Sequence, residues 1–85
     1  MEAIDMRIKI VLKSYYPKKF WDGESERWVD VPEGATCDEA LKSQGIDHRE
    51  IPRFGFVAID SKRVLIDYVL HEGDEIKVYP RMNGG

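Results

Sequence analysis

The chain holds a single cysteine, Cys37, so no internal disulfide is possible and a reducing compartment is the expectation. Histidine is nearly as scarce. His48 and His71 are the only two, and neither has a cysteine or carboxylate cluster at ligand spacing along the chain, so no metal site is expected. No apolar run approaches the length of a bilayer span, and the residues after Met1 lack the basic-then-apolar order of a signal peptide. A cytoplasmic chain with no membrane partner is therefore expected. Positive charge is not in surplus either: 13 Lys and Arg against 16 Asp and Glu leave a net charge of −3. That balance argues against a nucleic-acid binder held by phosphate neutralisation and points to a basic partner surface. Paired carboxylates, a nucleophile–base arrangement and a phosphate-cradling loop are also missing, so the chain is not expected to be an enzyme acting alone.

What is present fits one small α+β domain. Its 85 residues, 42% hydrophobic and 34% charged, can bury roughly 60–65% of the unfolded surface, which leaves little room for a catalytic cleft. Residues 6–12 alternate, with Met6, Ile8, Ile10 and Leu12 toward a core and Arg7 and Lys9 toward water. A second strand is expected over residues 27–31, with Val29 and Val31 inward, ended by Pro32 and Gly34. Between the two lies a long hairpin tip carrying Tyr15, Tyr16, Phe20 and Trp21 around an Asp22-Gly23 turn signal, with Trp28 beyond it. Thr36 and Glu39 stand at capping-box spacing, Cys37, Ala40 and Leu41 share a face, and Gly45 supplies a stop, so one main helix is expected over about 36–44. Residues 46–52 have room for a single turn. Short strands are expected at 56–60 and 63–66, followed by a crossing segment in which Leu70 plugs the core and Gly73-Asp74 turns.

The last strand, residues 75–79, sends Ile76 and Val78 to one face and Glu75 and Lys77 to the other. Pro80 then ends it, since proline has no N–H to give a ladder. That divides the chain into a folded domain, 1–80, and a tail, 81–85, able to reach roughly 17 Å when extended. The tail ends in Gly84-Gly85, a slender backbone suited to threading into another protein's narrow active site. A frayed terminus is the bland alternative. One helix can cover only one face of the sheet, so the order of elements points to a β-grasp, or ubiquitin-like, roll: a mixed sheet of four to five strands with one main helix across one face.

Pro32-Glu33-Gly34-Ala35-Thr36 before the helix, Leu70-His71-Glu72-Gly73-Asp74-Glu75-Ile76 before the last strand, Pro80 after it and the terminal Gly84-Gly85 together resemble the MoaD/ThiS family. These are the ubiquitin-like sulfur carriers of molybdopterin and thiamine biosynthesis. The layout matches over nearly the whole chain, and the motifs lie mainly within residues 67–85. The resemblance implies that the Gly85 carboxylate is adenylated by an ATP-using activating enzyme and converted to a thiocarboxylate, which then donates sulfur on a synthase subunit. The carrier itself would bind no cofactor, and ATP would belong to the partner. Gly84 and Asn83 would line the partner's entrance channel, while Tyr79, Arg81 and Met82 would meet the partner beside it. Two departures stand out. The first hairpin is longer and more aromatic than the family usually shows, and Asp60-Ser61 replaces a common Asn-Gly turn, implying a changed turn type.

Other readings stay beside this one. Gly85 could end in an isopeptide bond to a target lysine, as in a protein modifier, or the chain could be a non-catalytic β-grasp interaction module docking through its aromatic hairpin. Those aromatics, flanked by Lys18 and Lys19, suit a docking patch or cross-hairpin stacking equally. Cys37 lies on the apolar helix stripe and is expected in the core, and His71-Glu72 is expected as an exposed turn.

Overall fold

The computed structural model describes residues 4–81. Five strands form one sheet: β1 (Asp5–Leu12), β2 (Glu26–Pro32), β3 (Phe54–Ile59), β4 (Lys62–Val64) and β5 (Glu75–Pro80), in the order β2-β1-β5-β3-β4. β1 and β5 run parallel at the centre, pairing Ile10 with Ile76 and Leu12 with Val78, and the other neighbours are antiparallel. The expected mixed β-grasp sheet is observed.

The alternation in the sequence decides which face is dry. Met6, Ile8, Ile10 and Leu12 of β1, Val29 and Val31 of β2, Val57 and Ile59 of β3 and Ile76 and Val78 of β5 are buried together. Helix α2 (Cys37–Ser43) covers that face with Cys37, Ala40 and Leu41. Its capping box is complete: the Glu39 N–H donates to Thr36 Oγ1 (3.2 Å) and the Thr36 N–H to Glu39 Oε1 (2.9 Å). Seven residues would not hold a helix in water, so packing does most of the stabilising. Leu70 plugs the core as expected, its N–H donating to the Ala35 carbonyl at 2.8 Å. The single turn allowed for 46–52 is a 3-10 turn at His48–Glu50.

The structure corrects the long first hairpin tip. A second helix, α1 (Tyr16–Trp21), fills it, so the sheet carries two helices and not one. Its signals were short-range: Pro17 in the first turn, where its missing N–H costs nothing, and a left-handed stop at Asp22 (φ 50°) and Gly23 (φ 97°). Alternation along the flanking strands masked a segment too short to show a helical period.

A second correction concerns the β3–β4 turn. Asp60 and Ser61 both have positive φ, 51° and 65°, the mark of a type I′ turn. The common Asn-Gly geometry is thus kept without its residues, because the two-residue connection must match the right-handed strand twist. Holding serine there is unfavourable by about 1 kcal/mol. Replacing the pair by Asn-Gly (Asp60→Asn with Ser61→Gly) should raise stability by about 0.5–1 kcal/mol, read as a higher urea midpoint at unchanged slope.

Candidate functional site

The site is built where β5 ends. β3 and β5 pair Val57 with Val78 and Phe56 with Tyr79, and a bulge between Phe54 and Phe56 then brings Phe54 opposite Pro80. Gly55 sits in that bulge. A Cβ added there would lie 2.6 Å from the Tyr79 carbonyl oxygen and 2.7 Å from the Pro80 carbonyl group. The two backbones therefore approach as closely as glycine alone allows.

Beyond Pro80 the backbone is still tied to the sheet. The Arg81 N–H donates to the Arg53 carbonyl at 2.7 Å, so sheet attachment extends one residue past the expected boundary at Pro80. The same carbonyl faces the Tyr16 hydroxyl at 3.4 Å. Tyr16 is fully buried, and burial pushes its phenol up to about 12. Helix α1 thus braces the point from which the tail leaves.

On the outer face of the sheet, Tyr79 stacks on Phe56 with ring centroids 4.7 Å apart and planes 17° from parallel. The Arg63 guanidinium lies over the same Phe56 ring, 4.8 Å from its centroid. An open groove of about 490 Å³ runs alongside, lined by Phe54, Gly55, Phe56, Arg63, Pro80 and Arg81. Tyr79 and Arg81, named from the sequence as partner contacts, both stand at this end of β5. Met82, Asn83, Gly84 and Gly85 lie outside the described residues. Phe56, Arg63 and Arg53 were not singled out from the sequence. The available signal was Phe54-Gly55-Phe56, a glycine inside an aromatic strand, which marks a bulge or a close backbone approach.

The aromatic hairpin divides its labour. Tyr16 and Trp21 are buried and Phe20 packs against the core, while Tyr15 stays half exposed with its ring edge to face on Tyr16. Trp28 is half exposed on the outer sheet face between Arg7 and Lys9, whose charged groups lie 5.9 and 5.8 Å from its ring.

Folding also brings together residues that chain spacing kept apart. Asp38, Asp47 and His48 place ligand-type atoms within 4.8 Å of one another, which corrects the reading that His48 has no carboxylate cluster beside it. These carboxylates are already engaged, however. Arg49 reaches Asp38 at 2.8 Å and Asp47 at 3.1 Å, with Lys42 3.4 Å from Asp38, and the Arg49 N–H and guanidinium hold the Asp47 carboxyl below its usual range. His71 and Glu72 form the expected exposed turn.

Cys37 is fully buried, and burial, reinforced by the Asp74 carboxylate, pushes its thiol from 9.0 up to about 12. The core reading holds, since the nucleophilic thiolate is suppressed.

The Mut7-C ubiquitin family model matches residues 1–84. The chain belongs to the Mut7-C ubiquitin family. A search of curated proteins finds no match. Among solved structures the chain is similar to SAMP1 from Haloferax volcanii, a small archaeal modifier protein, at 22% identity with a TM-score of 0.73, over 93% of this chain and 99% of that one. It is also similar to a Pyrococcus furiosus protein assigned as molybdopterin converting factor, subunit 1 (19% identity, TM-score 0.68, 91% and 99% covered). The Haloferax volcanii HVO 2177 protein matches at 19% identity with a TM-score of 0.74, covering 95% and 88%. At such identities the likeness is one of fold, and the expected kinship with MoaD-like carriers is borne out at that level. No helix among the described residues of this Mut7-C ubiquitin protein is long and apolar enough to cross a membrane.

Two outcomes follow from the site's packing. Gly55→Ala should cost about 2 kcal/mol or more, because backbone and not a flexible side chain must move, and chemical denaturation would read it. Cys37 and Tyr16 both ionise less readily folded than unfolded, so the native state holds more protons between about pH 9 and 12. The contribution of these two groups is level below pH 9, and it falls as pH rises toward 12. Melting temperatures across that range would show the fall, and a thiol-specific reagent at pH 8 should label Cys37 only in denaturant.

Proposed function

We propose that this ubiquitin-like protein is a sulfur carrier whose Gly85 carboxylate is activated by a partner enzyme. The observation that carries the reading is the way the chain leaves the sheet. The central strand β5 ends at Pro80, the exposed Arg81 after it is pinned by the Arg53 carbonyl that Tyr16 also meets, and the residues that follow read Met82-Asn83-Gly84-Gly85. A rigid root lets a partner position the terminus within a few ångströms of its target. Glycine keeps Cβ bulk away from the path of attack.

In this reading a carboxylate oxygen of Gly85 attacks the α-phosphate of ATP in the partner, pyrophosphate leaves, and an acyl-adenylate forms. A sulfur nucleophile then displaces AMP and leaves a thiocarboxylate, which passes sulfur to an acceptor of the molybdopterin or thiamine type. The carrier supplies only the carboxylate. The partner supplies ATP and the positive charge that stabilises the developing phosphate negative charge. A synthase subunit carrying the acceptor is the second partner, and the cytoplasm is the compartment this chemistry suits.

The fold likeness to a small archaeal modifier protein favours one alternative, in which the same adenylate is captured by a target lysine to give an isopeptide bond. A non-catalytic interaction module is less well supported, because Tyr16 and Trp21 of the hairpin are buried in the core and Phe20 packs against it.

Incubation of the chain with a cognate activating enzyme, ATP and a sulfur donor, followed by intact-protein mass spectrometry, should reveal a species with one oxygen replaced by sulfur. Deletion of Gly85 should abolish it. Heavier lysine conjugates without that species would favour the modifier, and neither product would overturn both readings.

A further inference from the structure

The outer face around the start of β3 carries features that the fate of Gly85 does not use. β4 pairs with β3 only at Val57, Ala58 and Ile59, so Phe54, Gly55 and Phe56 have no described strand beside them on that side. The groove of about 490 Å³ that begins at Arg81 crosses this open stretch. A second hollow of about 150 Å³ continues it, sharing Phe54, Gly55, Phe56 and Arg63 and reaching Leu65, a residue 77% exposed. An open strand edge beside a partly apolar groove suits an extended backbone.

The groove is also electropositive in a chain of net charge −3. Arg53, Arg63 and Arg81 are all exposed at or beside it, and among the described residues none has a carboxylate at ion-pair distance, in contrast to Arg27 and Arg49. Arg63 lies over Phe56, its guanidinium carbon 4.8 Å from the ring centroid. Stacking occupies the face of a guanidinium and leaves its edge N–H groups free, which is the geometry that grips a carboxylate with two bonds.

The same packing disfavours a single-stranded nucleic acid. Its bases need bare ring faces, whereas Phe56 lies between Tyr79 of β5 and Arg63 of β4, strands that flank β3 on opposite sides.

We propose that this groove binds an extended acidic peptide segment of a partner protein, its backbone beside Phe54–Phe56 and its carboxylates on Arg63 and Arg81. Apolar side chains alternating with the acidic ones rest on Phe54 and Leu65. The binding requires no ATP, no sulfur donor and no chemistry at Gly85, so its failure and the failure of the carrier reading are separate events.

The test is titration of the full chain, labelled with nitrogen-15, with a capped hexapeptide of alternating glutamate and valine. Saturable amide shifts centred on Gly55, Phe56, Arg63, Leu65 and Arg81 are expected, weakening with salt. Arg63→Glu and Arg81→Glu should each weaken binding about tenfold while leaving the rest of the spectrum in place, since both side chains are exposed. The proposal is overturned if millimolar peptide leaves these amides unmoved, or if a lysine–valine peptide binds as well. It also fails if an oligothymidylate shifts the same amides and the peptide does not. Contacts from residues 82–85 to Phe56 in the free chain would assign the groove to the chain's own tail and would likewise overturn it.

Discussion

The parallel ladder between β1 and β5 is the constraint on which the rest depends. It places the first and last strands side by side at the middle of the sheet, although 62 residues separate the end of β1 from the start of β5. Parallel neighbours cannot be joined by a tight turn. The chain between them must therefore cross a face of the sheet at least once, and α2 with the segment through Leu70 does so across the apolar face. β2 and β3 add antiparallel to this pair, and β4 adds to β3. Because Ile10, Leu12, Ile76 and Val78 are among the most buried side chains, the ladder is also the centre of the core.

A consequence of that topology is where the last strand delivers the chain. β5 is braced by β1 on one side and β3 on the other, so the position of Arg81 is set by two ladders and by the close approach at Gly55. The Arg53 carbonyl accepts from Arg81 and faces the Tyr16 hydroxyl. The aromatic hairpin thereby acquires a structural task in the half of the molecule where the chain leaves the sheet. Through Tyr16, helix α1 reaches the same Arg53 carbonyl that holds Arg81.

Charge shows how a total conceals a distribution. The net of −3 pointed to a basic partner. Around the root of the tail, however, Arg53, Arg63 and Arg81 gather beside aromatic rings, because β3, β4 and β5 are neighbours in space and not in sequence. Asp38, Asp47 and His48 show the same effect with a different outcome: folding assembles them, but Arg49 pairs with one oxygen of each carboxylate and Lys42 with that of Asp38.

Alternation along β1, β2 and β5, the Thr36–Glu39 cap and the Pro80 stop were legible from the sequence alone, because each is written within a few consecutive residues and follows from local geometry. They determine the strands, the main helix, the dry face and the β-grasp class. Helix α1 escaped because six residues are too few to display a period between aromatics that also suit a hairpin. The kept I′ turn escaped because Asp60-Ser61 adopts positive φ only under the demand of two twisted strands. Tertiary structure alone decided the groove at β3, the Arg63–Phe56–Tyr79 stack and the bracing of Arg81. Each joins residues from strands that meet only when the central parallel pair closes, and no local pattern encodes a contact between partners so far apart along the chain.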